Sequence, residues 1–164
     1  MFALRSQLPA TKAEQYSELI RQARALLEGE RDFTANAANL AALVFHSLPD
    51  LNWAGFYWMK GGELVLGPFQ GKPACVRIAL GRGVCGTAAR EARTVVVQDV
   101  DEFPGHIACD SASRSEVVVP VVHGGRVIGV LDVDSPTLRR FEADDARALE
   151  QLVEVFLAST DIGG

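Results

Sequence analysis

Cysteine and histidine are both scarce in this chain, and long apolar runs are missing. Only Cys75, Cys85 and Cys109 occur among 164 residues. An odd, small count is a poor disulfide framework for a secreted protein and suits a reducing cytosol. No two of the three stand in a Cys-x-x-Cys pair, which argues against a thioredoxin-type motif and a zinc knuckle. With only His46, His106 and His123 besides them, no metal site is expected. Cations are in deficit as well: 16 Lys and Arg face 21 Asp and Glu, a formal charge of −5. That balance argues against nucleic-acid or anionic-membrane partners, which require a basic face. Charges or glycines interrupt every apolar run well short of the ~18 residues of a membrane span. The start, Met1-Phe-Ala-Leu-Arg-Ser-Gln-Leu-Pro, has no apolar core of signal-peptide length. The expectation is a soluble, cytoplasmic protein.

What is present is material for one core, since 48% of the residues are hydrophobic and this length suits a single domain. Thr11-Lys-Ala-Glu14 has the form of a capping box, and Tyr16, Leu19, Ile20, Ala23, Leu26 and Leu27 follow at helical spacing. Helices are expected over 11–28, 34–48 and 143–158. Between them the period changes to that of strands. Gly61-Gly62 and Gly124-Gly125 each join two apolar runs as hairpin turns. Cys75–Ala79 alternates like a short strand, and Val84–Glu91 reads as a short helix entered through Gly81-Arg-Gly83. The layout is α+β: a single domain over 1–164, with a central antiparallel sheet of about six strands in 51–135. The terminal helices cover one face of that sheet. The irregular stretch 99–114 is long for a compact domain, which marks it as functional.

A free cysteine is often a small buried hydrophobe, but these three have suggestive surroundings. Cys85 stands near a helix start, where amide dipoles lower a thiol pKa. Cys109 lies on the polar loop, and Cys75 opens a strand. His106, three residues before Cys109, reads either as half of a Cys–His pair or as loop packing. Asp132 and Asp134 are two apart on an apolar strand and so share one face of the sheet. Glu116 opens another apolar run. Crowded acids oppose joint ionisation, and burial raises at least one pKa. Trp53 and Tyr57 share one face of their strand and Phe56 and Trp58 the other, so either set could line a pocket. Arg139, Arg140, Glu142, Asp144 and Asp145 read as a solvated helix start without a function.

Five segments together resemble the free methionine-(R)-sulfoxide reductases, which are single-domain GAF proteins. They are Gly83-Val-Cys-Gly86, Val97-Gln-Asp-Val100, Phe103-Pro-Gly-His-Ile-Ala-Cys-Asp110, Ser115-Glu-Val-Val-Val-Pro120 and Gly129-Val-Leu-Asp-Val-Asp-Ser135. The resemblance covers nearly the whole chain, including Asn52-Trp-Ala-Gly-Phe-Tyr57, and implies a GAF-like fold. It implies that Cys109 attacks the sulfoxide sulfur and becomes a sulfenic acid. Cys75 then closes a Cys75–Cys109 disulfide that thioredoxin, itself NADPH-linked, reduces. Cys85 would be an alternative resolving or recycling thiol. Glu116, Asp132 and Asp134 match acids that bind the ammonium or polarise the sulfoxide oxygen, and Trp53 and Tyr57 match aromatics beside the methyl end. No bound cofactor and no metal are implied. A homodimer paired through the terminal helices is expected, with free rather than peptide-bound methionine sulfoxide as substrate and oxidative-stress repair as the setting. The alternative is a non-catalytic GAF module that binds a small ligand or senses oxidation; fold alone does not separate the two.

Overall fold

A computed structural model describes residues 2–4, 11–107 and 109–163. The outermost ends of the expected domain and Ala108 of the active-site loop lie outside the described residues. The element order is α1 (Lys12–Leu27), α2 (Phe33–Ser47), β1 (Trp53–Lys60), β2 (Glu63–Gly71), β3 (Arg77–Ala79), α3 (Gly83–Glu91), β4 (Val95–Val97), β5 (Ser115–His123), β6 (Arg126–Ser135) and α4 (Ala143–Ser159). All strand pairs are antiparallel, in the order β3-β2-β1-β6-β5-β4. This is the α+β fold expected from the alternating and helical periods, with six strands in one sheet.

Strand alternation divides the interior into two cores. On β5 and β6, Val117, Val119, Val121, Leu131 and Val133 point to one face. There they meet Leu40 and Val44 of α2 and Leu149, Leu152 and Phe156 of α4. Full burial of each such side chain is worth about 1.5–3 kcal/mol relative to exposure, so this layer supplies most of the apolar stabilisation. The opposite parity, including Val118 and Val130, faces α3 together with Trp53 and Tyr57 of β1. Residues 99–114 close this second side. The terminal helices thus cover one face, as expected, and the other is left to a smaller helix and a loop.

Local departures from the sequence expectations have identifiable causes. β2 runs to Gly71 rather than Leu66, because the register shifts between Gly55 and Tyr57 and absorbs Gly67-Pro68 as a bulge. At that close approach a Cβ on Gly55 would come within 2.3 Å of Phe69 Cβ. The third strand starts at Arg77, not Cys75. Cys75 is held outside it by a disulfide to Cys109 and by the Tyr57 hydroxyl, which donates to its carbonyl at 2.8 Å. Within 99–114, residues 100–102 form a 3-10 turn.

The expectation of a solvated start to α4 is overturned at Asp145, which is fully buried. Its carboxylate accepts from Tyr16 Oη at 2.5 Å, Lys12 Nζ at 2.8 Å, Arg140 Nη1 at 3.2 Å and the Glu142 amide at 2.8 Å. Arg140 in turn donates to the Pro49 carbonyl. One buried anion therefore ties α1, α4 and the end of α2 together, which its sequence neighbours Glu142 and Asp144 conceal. Burial pushes the Asp145 pKa up, but Lys12, Tyr16 and the Glu142 amide outweigh it and hold the group below its ordinary value. A depressed carboxyl contributes stability above the ordinary carboxylate range and loses it as pH falls through the folded-state pKa. Asp145→Ala is expected to cost about 3–5 kcal/mol in urea unfolding at neutral pH, since it strands the nearly buried Arg140 guanidinium. The exposed Asp144→Ala is expected to cost under ~0.5 kcal/mol, and equal costs would remove the network from this account.

Candidate active site

The register of the central strands assembles the site. Asp134 lies opposite Trp53 on one side and Glu116 on the other, and Asp132 lies opposite Gly55 and Val118. Since residues two apart share a face, both aspartates, Glu116, Trp53 and Tyr57 reach the same cavity. Its empty volume, open mouth included, is about 520 Å³. Cys85 enters from α3, whose first residue, Gly83, has φ +60° and passes under Ile107 of the loop. Cys109 and His106 enter from the loop. Cys75 stands just outside the lining, joined to Cys109 with a Cα–Cα distance of 5.6 Å.

The acids are the unusual feature. Glu116 and Asp132 are each 6% exposed. Burial, and then the charge of a neighbouring acid, pushes the pKa of Glu116, Asp132 and Asp134 well above the usual carboxylate range. Glu116 lies opposite Asp134 across the β5–β6 pair and shares the cavity with Asp132, and acids so crowded oppose joint ionisation. Asp132 Oδ1 is buried and has no hydrogen-bond partner among the described residues. An orphaned acceptor of this kind costs stability unless something binds there.

Cys85 departs from the sequence expectation. A helix start was expected to lower its pKa; instead full burial, then Asp132 and Glu116, pushes it well up. Its Sγ is 4.0 Å from Glu116 Oε1. The desolvation and the surrounding negative charge outweigh the helix dipole, so Cys85 is a protonated thiol. His106 Nε2 lies 3.5 Å from Glu116 Oε2. Burial pushes the imidazole pKa down against the pull of Asp101, and it pushes the Glu116 pKa up, so burial disfavours the charged form of both partners. His106 thus serves the acid cluster from the loop.

Two features escaped the sequence reading. Asn52 Nδ2 donates to Asp110 Oδ2 at 3.1 Å and Ser113 Oγ at 2.9 Å, while its amide bonds the Asp134 carbonyl at 3.0 Å. The loop bearing Cys109 is thereby moored to the strand bearing the acids. Trp53 donates from Nε1 to the Lys72 carbonyl and stacks on Tyr57, ring centroids 5.9 Å apart. Only a tertiary structure pairs such distant polar groups. Cys85, Glu116 and Asp132 also bring one ligand atom each within 4.8 Å of one another. Among the described residues this is the one group that could hold a metal ion, with the ligand types a thiophilic divalent cation accepts.

Residues 23–156 match the GAF domain family. The chain is 52% identical over 153 residues to the free methionine-R-sulfoxide reductase of Escherichia coli, covering 92% of this chain and 93% of that protein. The chain belongs to the GAF-domain free methionine-R-sulfoxide reductases. The yeast member, from Saccharomyces cerevisiae, is 41% identical over 152 residues, covering 88% and 84% of the two chains. The solved structure of the free methionine-R-sulfoxide reductase from Neisseria meningitidis in complex with its substrate superposes with a TM-score of 0.93. It is 46% identical, covering 97% of this chain and 95% of that one.

The acid cluster has a thermodynamic signature that does not require activity. A carboxyl whose folded pKa is raised costs stability at every pH where the unfolded chain ionises. Glu116→Gln and Asp134→Asn, which remove that ionisation, are expected to raise the thermal midpoint at pH ~7 by about 2–4 °C. The gain is expected to vanish near pH ~3, where both states of the wild type are protonated. Calorimetry at the two values checks this, and a lowered midpoint at pH ~7 would contradict it.

Proposed function

We propose that the chain reduces free L-methionine (R)-S-oxide to L-methionine through the thiols of Cys109 and Cys75. The observation that carries the reading is a redox-capable cysteine pair at the roof of a cavity floored by three acids with raised pKa values. A sulfoxide oxygen leaves only once protonated, so a neutral carboxyl among Glu116, Asp132 and Asp134 serves as general acid. The Cys109 thiolate attacks the sulfur and forms an S–S bond to the protonated sulfoxide; the oxygen then passes with its proton to the Cys109 sulfur as the S–S and the substrate's S–O bonds break, so methionine departs and Cys109 is left as a sulfenic acid. The Cys75 thiol then attacks that sulfenic sulfur, releasing water and forming the disulfide. The sum is one sulfoxide and two thiols in, one thioether, one disulfide and one water out.

The lining suits a free amino acid. Trp53 and Tyr57 present stacked apolar faces to the methyl end, and an ionised member of the acid cluster accepts the ammonium. The orphaned Asp132 Oδ1 then gains its missing partner. Backbone amides of the 99–114 loop are candidates for the α-carboxylate. No bound cofactor is needed, because the electrons come from thiols and an external dithiol, thioredoxin, restores them. Such a cycle operates in a reducing compartment, the cytoplasm. No helix among the described residues is long and apolar enough to cross a membrane. Cys85, protonated and buried, is a reserve thiol in this scheme.

The cysteines give the sharpest test. Cys109→Ser is expected to abolish reduction of free methionine (R)-sulfoxide. Cys75→Ser is expected to keep one turnover per chain and lose thioredoxin-driven cycling. Methionine formation followed by chromatography checks both, and multiple turnover by Cys109→Ser would refute the scheme. A peptide-bound sulfoxide, which lacks the free ammonium, is expected to react slower by about 100-fold or more, the scale of an unmade charged hydrogen bond. We also propose a homodimer through the terminal helices; light scattering at micromolar concentration should give twice 17.7 kDa, and a monomer mass would refute it.

A further inference from the structure

The two cysteines of the disulfide lie in different parts of the fold. Cys109 lines the cavity, whereas Cys75 stands outside it on the segment leading into β3, the outermost strand of the sheet. That segment carries two apolar side chains left in water, Val76 at 61% exposure and Leu80 at 41%. Both flank Cys75 within five residues. Charge collects there too. From Lys72 to Arg90 the chain has four cations, Lys72, Arg77, Arg82 and Arg90, and no acid, in a protein whose net charge is −5. Arg77 is paired with Glu63, and Arg90 with Glu91. Lys72 and Arg82 are exposed and border the cavity.

Exposed apolar residues rimmed by charge mark interaction sites, and here they surround the bond that must be broken for a second turnover. We propose that this edge, with Val76 and Leu80 at its centre and Lys72, Arg77 and Arg82 at its rim, docks a thioredoxin-type dithiol protein. The partner would present an apolar collar and acidic rim around its exposed thiol. The inference rests on the reductase reading above and adds the surface and the direction of attack. The donor thiolate attacks Cys75 Sγ; the Cys75–Cys109 bond breaks and Cys109 leaves as the thiolate needed for the next sulfoxide. The donor's second thiol attacks the mixed disulfide, the donor departs oxidised, and Cys75 is released as a thiol. Two electrons and two protons pass from the donor's thiols to Cys75 and Cys109. Attack depends on access and on the leaving thiol; Cys75 lies outside the cavity lining, on the segment that carries Val76 and Leu80, and attack there frees Cys109.

The test separates docking from chemistry. Val76→Glu and Leu80→Glu, alone and together, are assayed with free methionine (R)-sulfoxide under two reductants: dithiothreitol, and bacterial thioredoxin with its reductase and NADPH. The double variant is expected to raise KM for thioredoxin about tenfold or more, the effect of losing central interface contacts. Its dithiothreitol-driven rate should stay within about twofold of wild type, as surface substitutions allow. Val76→Ser and Leu80→Ser, which cannot repel an acidic partner, should move KM less. For the wild type, KM for thioredoxin should climb with added salt while the dithiothreitol rate does not. Unchanged KM for thioredoxin in the double variant, or equal losses under both reductants, would overturn the proposal. A single-cysteine thioredoxin gives a readout independent of turnover: its trapped mixed disulfide should map to Cys75 by peptide mass. An adduct at Cys109 would overturn the assignment, whereas absent dithiothreitol-driven turnover in wild type would instead refute the reductase reading.

Discussion

Keeping three carboxyl groups together out of water is the constraint that the rest of this structure serves. Glu116 and Asp134 are cross-strand neighbours and Asp132 follows on the same face, so the register of β5 and β6 alone brings them together. Antiparallel pairing fixes that register, because a slip by one residue would turn the acids into the helical core and the valines into the cavity. The apolar layer of Val117, Val119, Leu131 and Val133 against α2 and α4 therefore holds the chemistry in place from behind. Burial raises all three pKa values, and the charge of one neighbouring acid adds to the rise at each. What this costs in stability, the second face supplies in reactivity.

The cavity's other side is built from parts that can act as a unit. The 99–114 loop carries both His106 and Cys109, and Asn52 moors it to the start of β1 beside Asp134. Tyr57 supports the other half of the disulfide through the Cys75 carbonyl. Both cysteines of the disulfide are thus tied to β1 and the residue before it, through Tyr57 and Asn52. Cys109 lines the cavity, and Cys75 lies outside the lining on the segment before β3.

Much of this was legible in the sequence, for physical reasons that differ between residues. Periodicity located the helices and both hairpins, and alternation put Asp132 with Asp134 and Trp53 with Tyr57 on shared faces. The resemblance supplied the pairing of Cys75 with Cys109, which spacing alone does not. Other features depend on tertiary context. Asp145 looked solvated because its sequence neighbours are charged, yet its partners Lys12 and Tyr16 come from the far end of the chain. Cys85 looked activated because a helix start is a local signal, while the desolvation and acids that reverse its pKa arrive from β5 and β6. Asn52 has no local signature at all, since its partners are 58 and 61 residues away.

The central claim is that a carboxylic acid stays protonated in this cavity at neutral pH. Infrared difference spectroscopy of the reduced protein reads that state directly. At pH ~7, well above the ordinary carboxyl range, a protonated-carboxyl stretching band is expected. It should shrink or disappear in Glu116→Gln, Asp132→Asn and Asp134→Asn, which lie in one coupled cluster. Its absence from the wild type at that pH, with all three acids ionised, would contradict the account.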